Sequence, residues 1–146
     1  MKRLMVVLAA CCFGMQLHAA EWLTDLSTAM DKAKAEKKMV LMDFTGSDWC
    51  PPCKALHKTV LTSPEFEAYA ETNLILVEVD FPNEKPQTEE LKAANKKLAR
   101  KFEIEGYPTV IVLDAEGKQL SKKVGYSGEK PKNFIADLEK LKEKTS

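Results

Sequence analysis

The sequence predicts an α/β fold, a mixed central sheet flanked by helices and finished by a C-terminal β-hairpin and helix. Three observations carry this. Two short apolar runs, Met39 to Phe44 (MVLMDF) and Leu74 to Phe81 (LILVEVDF), have the length and continuity of strands covered on both faces. Segments of 3.6-residue apolar period precede, separate and follow them. A last pair of strand-like segments, Val110 to Leu113 and Gln119 to Val124, is joined by Asp114-Ala115-Glu116-Gly117, a turn composition.

In chain order, Leu26, Ala29, Met30 and Ala33 repeat at helical spacing, so a helix is predicted from about Trp22 to Lys37. After the first apolar run, a break rich in Gly, Ser and Pro, Thr45 to Cys53, opens a second helix carrying Leu56, Val60 and Leu61. Ser63-Pro64 reads as an N-cap with proline at the first helical position, restarting a helix that buries Phe66, Tyr69 and Ala70. The polar stretch Pro82 to Thr88 follows the second strand. Leu91, Ala94, Leu98, Ala99 and Phe102 then mark an amphipathic helix with a Lys-rich outer face. Pro131 opens the terminal helix, with Phe134, Leu138 and Leu141 inward. Strands separated by helices imply parallel pairing, and the hairpin adds an antiparallel edge.

Charge and composition exclude other classes. Twenty-two Lys plus Arg balance 22 Asp plus Glu, and no basic patch with interleaved aromatics is visible, so nucleic acid is not an expected partner. The one long apolar run, Leu4 to Met15, is too short for the roughly 20 residues of a membrane-spanning helix. Lys2 and Arg3 precede it, and small residues end it at Ala19-Ala20, which is the pattern of an export signal. Residues 1–19 are therefore expected to be removed, and residues 20–146 to form one exported, periplasmic domain. The alternative is a lipid anchor on Cys11, because Leu8-Ala9-Ala10-Cys11 resembles a lipobox. Cleavage after Ala19 removes two bases and no acid, leaving the mature chain mildly acidic.

Cys11 and Cys12 leave with the signal, so Cys50 and Cys53 remain. Closing so short a loop restricts few unfolded conformations, and the pair is poorly suited to act as a stabilising staple. In Trp49-Cys50-Pro51-Pro52-Cys53-Lys54 a strand gives way to a helix, which sets Cys50 at the helix N-terminus and Cys53 one turn inside. Unpaired N–H groups and the helix dipole there favour a thiolate on Cys50. Lowering a thiol pKa from ~8.5 to ~7 needs about 2 kcal/mol, and the dipole supplies roughly 0.3 to 2. A hydrogen bond from the Cys53 thiol is expected to add to it. Pro52 holds the turn at little cost, and Trp49 offers a flat apolar contact to a partner.

With Trp49 to Lys54 after an apolar strand and Gly106-Tyr107-Pro108-Thr109 before another, the chain resembles the thioredoxin family over about Trp22 to Lys144. It is most similar to exported bacterial members sharing the Phe44 to Lys54 segment (FTGSDWCPPCK). The resemblance implies a thioredoxin fold, a cis Pro108 packed beside a Cys50–Cys53 disulfide, and a Tyr107 lending backbone groups to a substrate strand. It implies a thiol-disulfide oxidoreductase, working as a reductase on protein thiols or disulfides and kept reduced by a membrane electron donor. No cofactor or metal is expected, and a monomer is.

Two features depart from the family pattern. Its buried aspartate stands six residues before the first cysteine, whereas Asp43 stands seven before Cys50, so Thr45 to Asp48 holds one extra residue. Pro82 to Thr88 is also longer than in small members. Flanked by Met42 and Phe44, Asp43 is expected to be at least partly buried, with a pKa above ~3.9. Two readings of it stand, a proton-transfer group under Cys53 and a strand-end residue bonded to a turn.

Other readings of the remaining residues are plainer. Cys-x-x-Cys is also a zinc spacing, but His57 is the only histidine of the mature chain and a second ligand pair is missing. Copper-delivery relatives space the cysteines one residue wider and add a distant histidine. Lys54 and His57 read as helix-flank residues, and Asp48 as either a field-tuning or a loop-solvating group. The competing function is a binding or scaffold module whose cysteines form an inert disulfide.

Overall fold

The computed structural model describes residues 19–145; the proposed signal and Cys11 lie outside them. In order, the elements are β1 (Trp22–Leu23), α1 (Leu26–Glu36), β2 (Met39–Thr45), α2 (Pro51–Leu56) widening into a π-helical turn (His57–Leu61), and α3 (Pro64–Asn73). There follow β3 (Leu74–Asp80), α4 (Glu89–Lys101), β4 (Thr109–Leu113), β5 (Gln119–Val124) and α5 (Pro131–Glu143). One five-stranded sheet has the order β1-β3-β2-β4-β5. Alternation along the strands divides the core in two. Met39, Leu41, Leu74 and Leu76 face α2, α3 and α5, while Val40, Met42, Phe44, Ile75, Val77 and Val79 pack with Ala29 and Ala33 of α1 and with Phe102. Phe66 meets Phe134 edge-on at 5.9 Å, joining α3 to α5.

Three expectations are corrected. Trp22 and Leu23 are not helical but form β1, parallel to Leu76 and Val77 of β3. The reason is Asp25, whose extended backbone and side-chain bond from the Thr28 N–H (2.7 Å) make it the N-cap of α1. Residues before a cap cannot share the helix ladder, and these two bond to the sheet edge instead.

β4 is separated from β3 by α4 yet runs antiparallel to β2, with Phe44 opposite Thr109 and Val40 opposite Leu113. A helical connection demands parallel strands only when it carries the chain to the opposite end of the sheet. Here the connection leaves β3 at Asp80 and re-enters at Thr109, both at the end of β2 marked by Phe44 and Thr45.

The second helix is not uniform. The Thr62 N–H reaches back to the His57 carbonyl, and this wider turn buries both Val60 and Leu61. Ser63 then caps α3 as predicted, accepting from the Phe66 N–H at 3.2 Å. Phe66 and Ala70 are buried and Tyr69 half-buried. Along α4, Ala94 is exposed, whereas Asn95 is fully buried and donates to the Asp80 carbonyl at 3.0 Å.

Candidate active site

Strand register assembles the site. Thr45 pairs with Asp80 and Phe44 with Thr109, so the segments that follow β2, follow β3 and precede β4 all emerge at one end of the sheet. The Phe81 N–H donates to the Thr45 carbonyl at 2.9 Å, prolonging the β2–β3 contact into the loops. The third segment enters through Tyr107–Pro108, a cis peptide bond as expected, with Pro108 buried.

Cys50 and Cys53 form a disulfide, their Cα atoms 5.3 Å apart. Exposure hardly separates them, at 3% and 2%; their places in the helix do. Cys50 is the extended N-cap of α2, its N–H bonded to the Gly46 carbonyl at 2.9 Å, and Cys53 lies in the first turn. Pro51 and Pro52 fill the first two helical positions. Since proline brings no N–H, Cys53 carries the first backbone donor of the helix. Fewer donors are thus available to a Cys50 thiolate than an ordinary helix start would offer.

Asp43 is buried on the face of β2 turned toward α2, 4% exposed, and its Oδ1 has no hydrogen-bond partner among the described residues. Burial, reinforced by the nearby carboxylates of Glu78 and Asp80, pushes its pKa up to about 7. A cavity of about 290 Å³ is lined by Asp43, Cys53, Lys54, His57, Glu78 and Lys85 together with Thr45 and Ser47. It brings the carboxyl and the inner cysteine to one space, with exposed Lys54 and His57 at its border. Register places Glu78 directly opposite Asp43.

Trp49 is 42% exposed and its indole N–H donates to the Phe81 carbonyl at 2.7 Å. Its ring meets Tyr107 edge-on at 5.9 Å, and Tyr107 lies 5.3 Å from Phe81, so three loops contribute one aromatic each to a wall beside the cysteines. Gly46 is required here, because a Cβ at that position would overlap the Trp49 indole.

Sequence reasoning did not single out Glu78, Phe81 or Lys85. Glu78 had a detectable signal: it is in phase with Leu74 and Leu76, an acid at an inward-facing strand position. Phe81 and Lys85 had none, since their roles depend on pairings across more than 30 residues. Among the described residues, no group of three or more His, Cys, Asp or Glu side chains could hold a metal ion.

Fold and site together define a thioredoxin-type protein with its cysteine pair in place. Residues 26–142 match the family model of the thioredoxin-like domain, and the chain belongs to that family. It is 39% identical over 94 residues to the disulfide bond reductase DsbH of Chlamydia pneumoniae, covering 64% of this chain and 57% of that one. It is 33% identical over 113 residues to the thioredoxin-related protein DsbJ of the same organism, covering 77% and 32%. The chain thus spans just over half of the first relative and a third of the second. The solved structure of a DsbH oxidoreductase superposes with a TM-score of 0.78 at 31% identity, covering 85% of each chain. This chain is therefore homologous to thiol-disulfide oxidoreductases of the Dsb group. No helix among the described residues is long and apolar enough to cross a membrane.

Proposed function

We propose that this protein is a thiol-disulfide oxidoreductase that reduces disulfides in exported proteins. The Cys50 thiolate attacks a substrate disulfide, releasing one substrate thiolate and forming a mixed disulfide. Cys53 passes its proton to the Asp43 carboxylate and attacks the Cys50 sulfur, releasing the second thiolate and leaving the Cys50–Cys53 disulfide. Two electrons reach the substrate, and a membrane dithiol donor returns the pair to its reduced form. Trp49, Tyr107 and Pro108 hold the substrate strand.

The observation that carries this reading is the cavity shared by Cys53 and Asp43. A carboxyl with a pKa near 7 is half ionised at neutral pH and can take or return a proton there. An inert disulfide in a scaffold has no use for a buried acid with one oxygen lacking a hydrogen-bond partner, which costs stability. The name of the DsbH relative supports the reducing direction, and Lys2-Arg3 with the following apolar run supports export of residues 20–146. Intact mass tests processing: a mature chain starting at Ala20 or Glu21 is expected, and a lipid on Cys11 overturns soluble export.

Trapping tests the mechanism. Cys53→Ser is expected to accumulate mixed disulfides through Cys50, and Cys50→Ser to form none; the reverse pattern reassigns the two roles. A midpoint near about −270 mV, as in thioredoxin, supports a reductase, whereas one near about −120 mV marks an oxidant.

A further inference from the structure

The two departures from the family pattern, the extra residue in Thr45 to Asp48 and the long loop Pro82 to Thr88, meet in space. The Asp48 carboxylate accepts three backbone N–H groups of that loop, from Asn83 at 2.9 Å and from Glu84 and Lys85 at 2.8 and 2.9 Å. Beside it, the Ser47 N–H donates to the Asp80 carboxylate at 2.9 Å, and the Ser47 hydroxyl bonds the same group. Asn95 and Gln87 both donate to the Asp80 carbonyl, holding the loop from its far side. Phe81 lies between these fastenings, and its carbonyl receives the Trp49 indole N–H.

We propose that Asp48 is a positioning residue that clamps the loop after β3 so that Phe81 holds Trp49 against Tyr107, shaping the wall a protein substrate meets beside Cys50. The three donors hold the Asp48 carboxyl down to about 2, so the clamp stays charged and closed through the physiological range. A loop-solvating aspartate would leave its oxygens to water. Here both oxygens are engaged by one loop, more than 30 residues away in sequence. Asp48 touches neither cysteine in this scheme. Its effect should fall on recognition of large substrates rather than on electron exchange itself.

The proposal rests on the oxidoreductase reading, and the test separates the two. Asp48→Ala and Asp48→Asn are compared with wild type by amide and indole hydrogen exchange, by insulin reduction, and by redox titration with dithiothreitol. Expected are roughly tenfold faster exchange at Asn83, Glu84, Lys85 and the Trp49 indole. With it go a several-fold higher KM for insulin, a kcat changed less than about twofold, and an unmoved midpoint potential. Faster exchange in the loop with an unchanged Trp49 indole and unchanged KM overturns the proposal, as does a shift of the midpoint. Wild-type protein whose cysteine pair does not titrate reversibly with dithiothreitol and which leaves insulin intact sinks the oxidoreductase reading instead. In that case the indole exchange still decides the positioning.

Discussion

Asp43 near the end of β2 and Asp48 in the loop beyond it carry the same carboxyl group in opposite surroundings. Asp43 is enclosed, has one oxygen without a partner, and lies beside other acids, which pushes its pKa up to about 7. Asp48 is reached by solvent and by three N–H donors, which hold it down to about 2. Burial without donors makes a group that exchanges protons at neutral pH. Donors without burial make one that stays charged and serves as an anchor. Within one short segment, the fold thus sets the proposed proton carrier apart from the proposed clamp.

Removing the proton carrier tests the first half of that contrast and carries the largest expected effect on stability. The folded state binds the Asp43 proton more tightly than the unfolded chain, whose ordinary value is 3.8. Destabilisation therefore begins as pH rises past 3.8 and is complete above about 7. At about 1.4 kcal/mol per pH unit it reaches the order of 4 kcal/mol. Asp43→Asn should stabilise the fold at pH 8 by that much more than at pH 3, where the native acid is already neutral, and should slow insulin reduction. Denaturant melts at the two pH values check the first outcome. An equal or lower stability at pH 8, or unchanged turnover, returns Asp43 to the turn-bonding reading.

Glu78→Gln sharpens the contrast with a smaller effect. It removes the nearest like charge while keeping the side chain's shape, so the Asp43 midpoint should fall below its present value. The fall is less than about one pH unit because burial, the larger cause, remains. Carboxyl NMR titration reads it directly, and an unmoved or raised midpoint would show that Glu78 faces away from Asp43 in solution.

The smallest effect is local to the clamp. A depressed carboxyl pKa stabilises the fold above the unfolded value of 3.8 and loses that contribution as pH falls through about 2. The amide signals of Asn83, Glu84 and Lys85 should therefore remain in their native positions at pH 4 and move together near pH 2. A midpoint near 4 would mean the three bonds do not form in solution.

Much of this molecule was determined by local sequence. The strands Met39 to Thr45 and Leu74 to Asp80, the cap at Ser63, the turn from Asp114 to Gly117 and the helix placing Cys50 before Cys53 follow from periodicity, capping and turn chemistry. These act within a few residues. The resemblance carried by Trp49 to Lys54 and Gly106 to Thr109 added the cis bond at Pro108. Tertiary structure alone decided which elements became neighbours: the parallel seat of Trp22 and Leu23 on β3, the antiparallel return of β4, and the meeting of Asp48 with the loop after β3. It also decided that Asp43 would stand opposite Glu78. Such pairings bring together groups tens of residues apart, and their free energy comes from burial and from donors supplied by other segments. No window of local sequence contains those partners.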